Sequence, residues 1–268
     1  MARLRIRVGH SADPDDAFMF WALEAGLVDA RGLEFEQVVS DIETLNTWAT
    51  EGRLEVTAIS MGAYPAVAER YVLLPHGASM GIGYGPIVVA REPLDPREVE
   101  IAIPGRRTTA YLALRLALGD DVRVRELRFD AILDEVASGR ADAGLLIHEG
   151  QLTYAAAGLH KLLDLGEWWQ AETGLPLPLG VNVARRDLGD RLADVSAVLG
   201  EAIRAGLAHR DDALAYAERF GRGIDRETAD RFVAMYVNEL TCDYGDVGRR
   251  AVEELLRRAG AGVEAQYA

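Results

Sequence analysis

The sequence predicts an α/β fold of two lobes, one inserted into the other, with a cleft between them and a helical C-terminal region. Three observations carry this. Short apolar runs of strand length alternate with segments of helical periodicity through residues 1–91. Residues 91–99, with two prolines and little apolar periodicity, interrupt the series, and a second alternation follows. From Leu188 onward the apolar spacing is helical throughout. The implied division is 1–91 for the first part of lobe one, 92–182 for lobe two, and 183–268 for the return into lobe one.

Residues 1–8 alternate charge with apolar side chains, a strand pattern, and the run at 4–9 opens the first lobe. Further strand runs fall at 33–39, 56–60, 71–74 and 87–90. Between them, 15–25 carries Phe18, Phe20, Trp21 and Leu23 on a broad apolar side, and 42–50 carries Ile42, Leu45, Trp48 and Ala49 on one face. Residues 61–70 read as a short helix with a proline near its start. In lobe two, strands are expected at 100–103, 122–129, 145–148 and 159–165, with helices at 108–118 and 131–139. Residues 175–186 read as the return crossing. Helices follow at 192–207, 211–220, 226–236 and 248–258, with Asp225 and Asp246 as expected N-caps. Such alternation implies βαβ units and a largely parallel sheet. An interrupted lobe, two crossings and a helical tail form the architecture of the type II periplasmic binding proteins.

A chain of 268 residues is too long for one typical core and fits two lobes. With 49% hydrophobic and 27% charged residues it is an ordinary soluble globular protein rather than a disordered one. Its single cysteine, Cys242, excludes an intrachain disulfide and suits a reducing compartment. The N-terminal stretch lacks the apolar core of a signal peptide, and no apolar run approaches the roughly 20 residues of a membrane span. The expected location is the cytoplasm. A formal net charge of −14 repels nucleic acid and anionic membranes, but leaves room for an anionic small molecule whose pocket has its own local field.

The chemistry centres on residues 141–154. Leu145, Leu146 and Ile147 read as a buried parallel strand, and His148 sits where it ends. In open α/β sheets that end faces the ligand crevice, and a histidine there suits proton transfer near neutral pH. His10, also at a strand end, and Glu149 are the alternative bases. Ser11 and Asp13 are good caps for the first helix, and Asp15 and Asp16 complement its dipole. A metal site from Asp13, Asp15 and Asp16 lacks the spacing of a calcium loop, so no metal is expected. Thr108 and Thr109 offer hydroxyls beside the free N–H groups of a helix start, an anion-binding arrangement to which Arg106 and Arg107 add positive charge. Asn46 and Ser60 occupy the matching turns of lobe one. There is no Gly-x-Ser-x-Gly elbow, no His-Glu-x-x-His, no cysteine cluster and no dinucleotide fingerprint.

Together these stretches resemble the 1,4-dihydroxy-6-naphthoate synthases of the futalosine route to menaquinone, over nearly the whole chain. The resemblance is carried by Ser11-x-x-Pro14-x-Asp16-x-Phe18-x-Phe20, by Asp41-Ile42-Glu43-Thr44-Leu45-Asn46 with Trp48, and by Glu51-Gly52-Arg53-Leu54. It continues in Pro104-Gly105-Arg106-x-Thr108-Thr109-Ala110-Tyr111, in Ile147-His148-Glu149, and in Thr173-Gly174-Leu175-Pro176-Leu177-Pro178-Leu179-Gly180. It implies a solute-binding fold recruited as a lyase, with cyclic dehypoxanthinyl futalosine as a carboxylate-bearing substrate. The products would be 1,4-dihydroxy-6-naphthoate and dihydroxyacetone, and no cofactor is expected. The family's proton acceptor falls on His148, and its substrate contacts on Ala58, Ile59, Ser60, Thr109 and Ala110. Ser11, Asn46 and Thr108 join the expected binding residues. The chain departs from the family pattern at Ala12-Asp13, Asp15 and Ala17, where the pattern has Pro-Cys, Asn and Thr. The alternatives are a solute-binding protein of the same fold and a chorismate dehydratase-like enzyme of the same pathway.

Overall fold

The computed structural model describes residues 4–221 and 224–268; residues 1–3 of the N-terminal strand pattern lie outside it. In chain order the strands are β1 (Leu4–Ser11), β2 (Leu33–Ser40), β3 (Val56–Ser60), β4 (Tyr71–Leu73), β5 (Ser79–Gly81), β6 (Ile87–Ala90), β7 (Ile101–Ile103), β8 (Val124–Glu126), β9 (Ala143–Leu146), β10 (His160–Asp164) and β11 (Leu177–Arg185). The α-helices are α1 (Pro14–Glu24), α2 (Ile42–Glu51), α3 (Thr109–Leu118), α4 (Phe129–Ala137), α5 (Gly150–Thr153), α6 (Leu165–Thr173), α7 (Leu192–Ala208), α8 (Arg210–Ala217), α9 (Arg226–Tyr236), α10 (Glu239–Cys242) and α11 (Gly245–Arg258).

Two sheets form. One has the order β2-β1-β3-β11-β4, with β5 paired to β11; the other has the order β10-β6-β9-β7-β8. The expected two-lobed α/β architecture is present, but neither sheet is wholly parallel. β11 runs antiparallel to β3, β4 and β5 because it returns from the second lobe, and β6 runs antiparallel to β9 and β10 because it enters that lobe. The two crossing strands also move the expected boundaries. Residues 87–90 pair within the second sheet, and 177–182 pair within the first, so the crossings lie before β6 and before β11 rather than at 91 and 182. A strand's hydrogen-bond partners, which its own sequence does not name, decide its lobe.

Caps set the helix starts that frame the cleft. Asp13 caps α1 with Pro14 in its first turn, Asp41 caps α2, and Thr108 caps α3, each accepting from a backbone N–H three residues on. Asp225 caps α9 as expected, whereas Asp246 lies inside the first turn of α11, which begins after Tyr244. The helix expected at 61–70 is a single 3-10 segment, Met61–Ala66, because Pro65 lacks the N–H that a longer α-helix needs. The largest apolar cluster spans both lobes: Ile59, Met61 and Tyr64 of the first share a core with Ile103, Leu114 and Trp169 of the second. No helix among the described residues is long and apolar enough to cross a membrane.

Candidate active site

The lobes enclose a cleft with an empty volume of about 660 Å³, part of it open to solvent. Its walls are chain ends. β1 delivers Ser11 and the turn Asp13–Asp16; β3 delivers Ala58, Ile59 and Ser60; the start of α3 delivers Thr108, Thr109 and Ala110; the end of β9 delivers Ile147 and His148. Every expected site residue except Asn46 lines this cleft.

His148 follows β9 by two residues, and its φ of 53° puts it in the left-handed region. That costs a non-glycine residue on the order of 1–3 kcal/mol, so the surroundings must hold it there. Phe129 and the imidazole pack edge to face with ring centroids 5.0 Å apart. On the other lobe, Asp13 Oδ2 lies 2.7 Å from Nδ1 of His148. Asp13 is 2% exposed, and it also accepts from the Ser11 hydroxyl and from the backbone N–H of Asp16. Burial opposes the charge on Asp13, but the neighbouring His148 charge and its hydrogen bond, with those from Asp15 and Ser11, hold the carboxyl well below the usual range.

The two acids beside it behave oppositely. Asp16 accepts from Ser11 N at 2.7 Å, yet burial and then the Asp13 charge push it up to about 7. Asp15 accepts from the Ser79 hydroxyl at 3.0 Å and is raised well above the usual carboxylate range by burial, then by the charges of Asp13 and Asp16. Carboxylate oxygens of the three acids lie within 4.8 Å of one another, closer than the loop comparison anticipates.

Ser60 and Asn46 work as a unit. Asn46 is fully buried; its Oδ1 accepts from Ser60 N at 2.8 Å and its Nδ2 donates to Ser60 Oγ at 3.1 Å. Asn46 therefore positions Ser60 instead of facing the cleft as expected. The Ser60 hydroxyl proton has no acceptor among the described residues.

The threonines are also differently employed. Thr108 Oγ1 donates to Gly105 O at 2.7 Å and accepts from Tyr111 N at 3.2 Å, which is capping. Thr109 Oγ1 accepts from Gly62 N at 3.0 Å and donates to Leu179 O at 2.7 Å. Both partners belong to the first lobe, so this hydroxyl latches α3 across the domain boundary. What α3 offers a ligand is its backbone: the N–H groups of Thr109 and Ala110 have no intrahelical acceptor. Arg106 and Arg107 pair with Glu126 and Glu43, at 2.9 and 3.3 Å, and do not line the cleft.

Of the alternative bases, His10 is fully buried between Ser11 O and Gln37 Oε1, each at 2.9 Å, and burial lowers its pKa. Neither His10 nor Glu149 lines the cleft. Sequence reasoning missed Ser79, Gln151, Phe232 and Tyr236 as lining residues. The Gln151 amide and the Tyr236 hydroxyl are 2.8 Å apart across the cleft's floor. Phe232 and Tyr236 show only the i, i+4 spacing of a core helix face, so nothing in their pattern marked them.

Residues 6–261 match a family model described as menaquinone biosynthesis. The chain belongs to the menaquinone biosynthesis family. Within that family it is similar to two proteins named 1,4-dihydroxy-6-naphthoate synthase. One, from Thermus thermophilus, is 46% identical over 96% of this chain and 94% of its own length. The other, from Streptomyces coelicolor, is 39% identical over 96% of this chain and 93% of its own length. A crystal structure of an Archaeoglobus fulgidus protein superposes with a TM-score of 0.92 at 46% identity, covering 96% of this chain and 97% of that one. The aliphatic sulphonate binding protein of Escherichia coli has the same fold, with a TM-score of 0.64 at 13% identity over 98% and 95% of the two chains. Menaquinone biosynthesis and the binding-protein fold thus stand together, and membership of this family favours an enzyme over a solute carrier.

Proposed function

We propose that this protein is a 1,4-dihydroxy-6-naphthoate synthase in which His148 is the catalytic base. The observation that carries the assignment is the 2.7 Å pairing of His148 Nδ1 with Asp13 Oδ2 inside the cleft. With Nδ1 engaged by a buried carboxylate, Nε2 is the ring nitrogen that takes the substrate proton, and Asp13 stabilises the imidazolium that results. The proposed substrate is cyclic dehypoxanthinyl futalosine, which fragments to 1,4-dihydroxy-6-naphthoate and dihydroxyacetone once the proton is removed.

A carboxylate or hydroxyl of the substrate seats between Ser60 Oγ and the N–H groups of Thr109 and Ala110, with Ala58, Ile59 and Ser11 completing the wall. Helix-start N–H groups suit an anionic oxygen without a basic side chain. No cofactor is invoked. The net charge of −14 disfavours nucleic acid, and the proposed compartment is the cytoplasm.

The test is incubation of the purified protein with cyclic dehypoxanthinyl futalosine, followed by product chromatography. Formation of both fragments by the wild type, and loss of turnover in His148→Asn, supports the reading. Binding without turnover indicates a solute-binding protein. Conversion of chorismate instead indicates the other enzyme of the pathway.

A further inference from the structure

We propose that Gln151 is a positioning residue for the base: its side-chain amide holds the backbone N–H of His148 and ties that turn to Gly85 and Tyr236. The inference rests on the functional reading above and concerns a further residue of the same cleft.

Packing does little to fix the turn that carries His148. None of the four residues of α5, which follows it, is buried. His148 itself has a φ of 53°, a conformation that persists only where the neighbours fix it. Hydrogen bonds must therefore contribute. One runs along the main chain, from Gln151 N to His148 O at 3.1 Å. The others come from the Gln151 side chain.

The orientation of that side chain follows from what its two terminal atoms meet. One faces the carbonyl oxygen of Gly85 at 2.6 Å and the Tyr236 hydroxyl at 2.8 Å; the other faces the backbone N–H of His148 at 3.3 Å. A carbonyl oxygen only accepts and a backbone N–H only donates, so the first atom is the nitrogen and the second the oxygen. Nε2 then donates to Gly85 O and to the Tyr236 hydroxyl oxygen, and Oε1 accepts from His148 N. The reverse orientation would set oxygen against oxygen at Gly85 and N–H against N–H at His148.

The two outer partners are firmly placed. Tyr236 is 3% exposed and stands on α9 of the first lobe. Gly85 lies in the crossing that leads into β6, and a Cβ on it would stand 2.9 Å from Gly166 N, so main chain packs on main chain there. Next to it, Tyr84 and Tyr236 pack edge to face with ring centroids 5.6 Å apart, and the Tyr84 hydroxyl donates to Met235 O. One carboxamide thus joins the first lobe, the crossing and the residue that carries the base. Asp13 engages the ring of His148, and Gln151 engages its backbone. A ring held at Nδ1 alone can still pivot about that contact; fixing the main chain as well sets where Nε2 points.

The test is Gln151→Met, which keeps the size of the side chain and removes its hydrogen bonds. With cyclic dehypoxanthinyl futalosine, kcat is expected to fall about 10- to 100-fold and KM to change less than about threefold, because a misdirected base costs turnover rather than binding. Deuterium exchange followed by NMR reads the hydrogen bond without turnover. In the wild type the His148 amide is expected to exchange at least about tenfold more slowly than an unprotected amide, and Gln151→Met removes that protection. The Tyr154 amide, which donates to Gly150 O, keeps its own protection in the variant. A His148 amide that is unprotected in the wild type overturns the proposal without recourse to any variant. So does equal loosening of Tyr154, which would mean that α5 merely unfolds. A raised KM with unchanged kcat also overturns it, because Gln151 would then be a substrate contact. A wild type that protects His148 N–H, loses this in Gln151→Met and turns over no substrate contradicts the functional reading and leaves the hold on His148 standing.

Discussion

Nδ1 of His148 lies 2.7 Å from Oδ2 of Asp13, and this contact joins the turn after β9 in one sheet to the turn after β1 in the other. It engages the imidazole of a residue whose backbone lies in the left-handed region. It also fixes which ring nitrogen can act on a substrate.

Replacing His148 by Asn is expected to lower kcat about 100- to 10,000-fold while substrate affinity changes little. Single-turnover rates measure this. The wild-type rate falls in acid as the imidazole becomes charged, and the residual activity of the variant loses that limb. His10→Asn leaves the base in place, because His10 is buried away from the cleft, and so retains turnover wherever it folds.

Asp13→Asn removes the anion but keeps the helix cap. We expect kcat to fall on the order of 100-fold or more, with KM much less affected, because the imidazolium loses its partner and the ring its orientation. The acid limb moves to lower pH, since the protonated ring is no longer stabilised. A pH–rate profile without that displacement would contradict the pairing.

Thr109→Val strands a partly buried N–H at Gly62 and a partly buried carbonyl at Leu179. The expected cost is about 1–3 kcal/mol of stability, read as a lower urea midpoint. Substrate affinity also falls, because the latch sets where the α3 N–H groups sit relative to Ser60. Stability unchanged within error would show that the latch is not formed in solution.

The folded-state pKa of Asp16 is raised, to about 7 from an ordinary 3.8. Between those values the native state holds a proton that the unfolded chain has lost, so this residue makes stability fall as pH rises from about 4 to 7. Asp16→Asn keeps an acceptor for Ser11 N and removes the titration. The difference in melting temperature between variant and wild type is therefore expected to grow in the variant's favour across that window. Taking the difference removes the opposing contribution of His76, whose folded pKa is lowered to about 4, chiefly by burial.

Local chemistry made much of this legible beforehand. Asp13 and Asp225 cap helices within three residues of themselves, so short-range pattern placed them. His148 was found because a short apolar run ends there. Asp246 failed as a cap because helix ends depend on what the next turn packs against, and α11 starts earlier, behind Tyr244.

The sequence by itself determined the two-lobed α/β class, most elements, and the residues gathered at the strand ends. Only the tertiary structure decided strand direction in β6 and β11, the lobe to which each belongs, and the work of each polar side chain. Asn46 faces Ser60 instead of the cleft, Thr109 bridges the lobes instead of a ligand, and Asp13, read as a cap, is also the partner of His148. The physical reason is separation along the chain. Capping joins neighbours, whereas Asp13 and His148 or Thr109 and Leu179 meet only after two sheets pack on a shared core, and a side chain's hydrogen bonds are settled by whichever partner that packing brings within 3 Å.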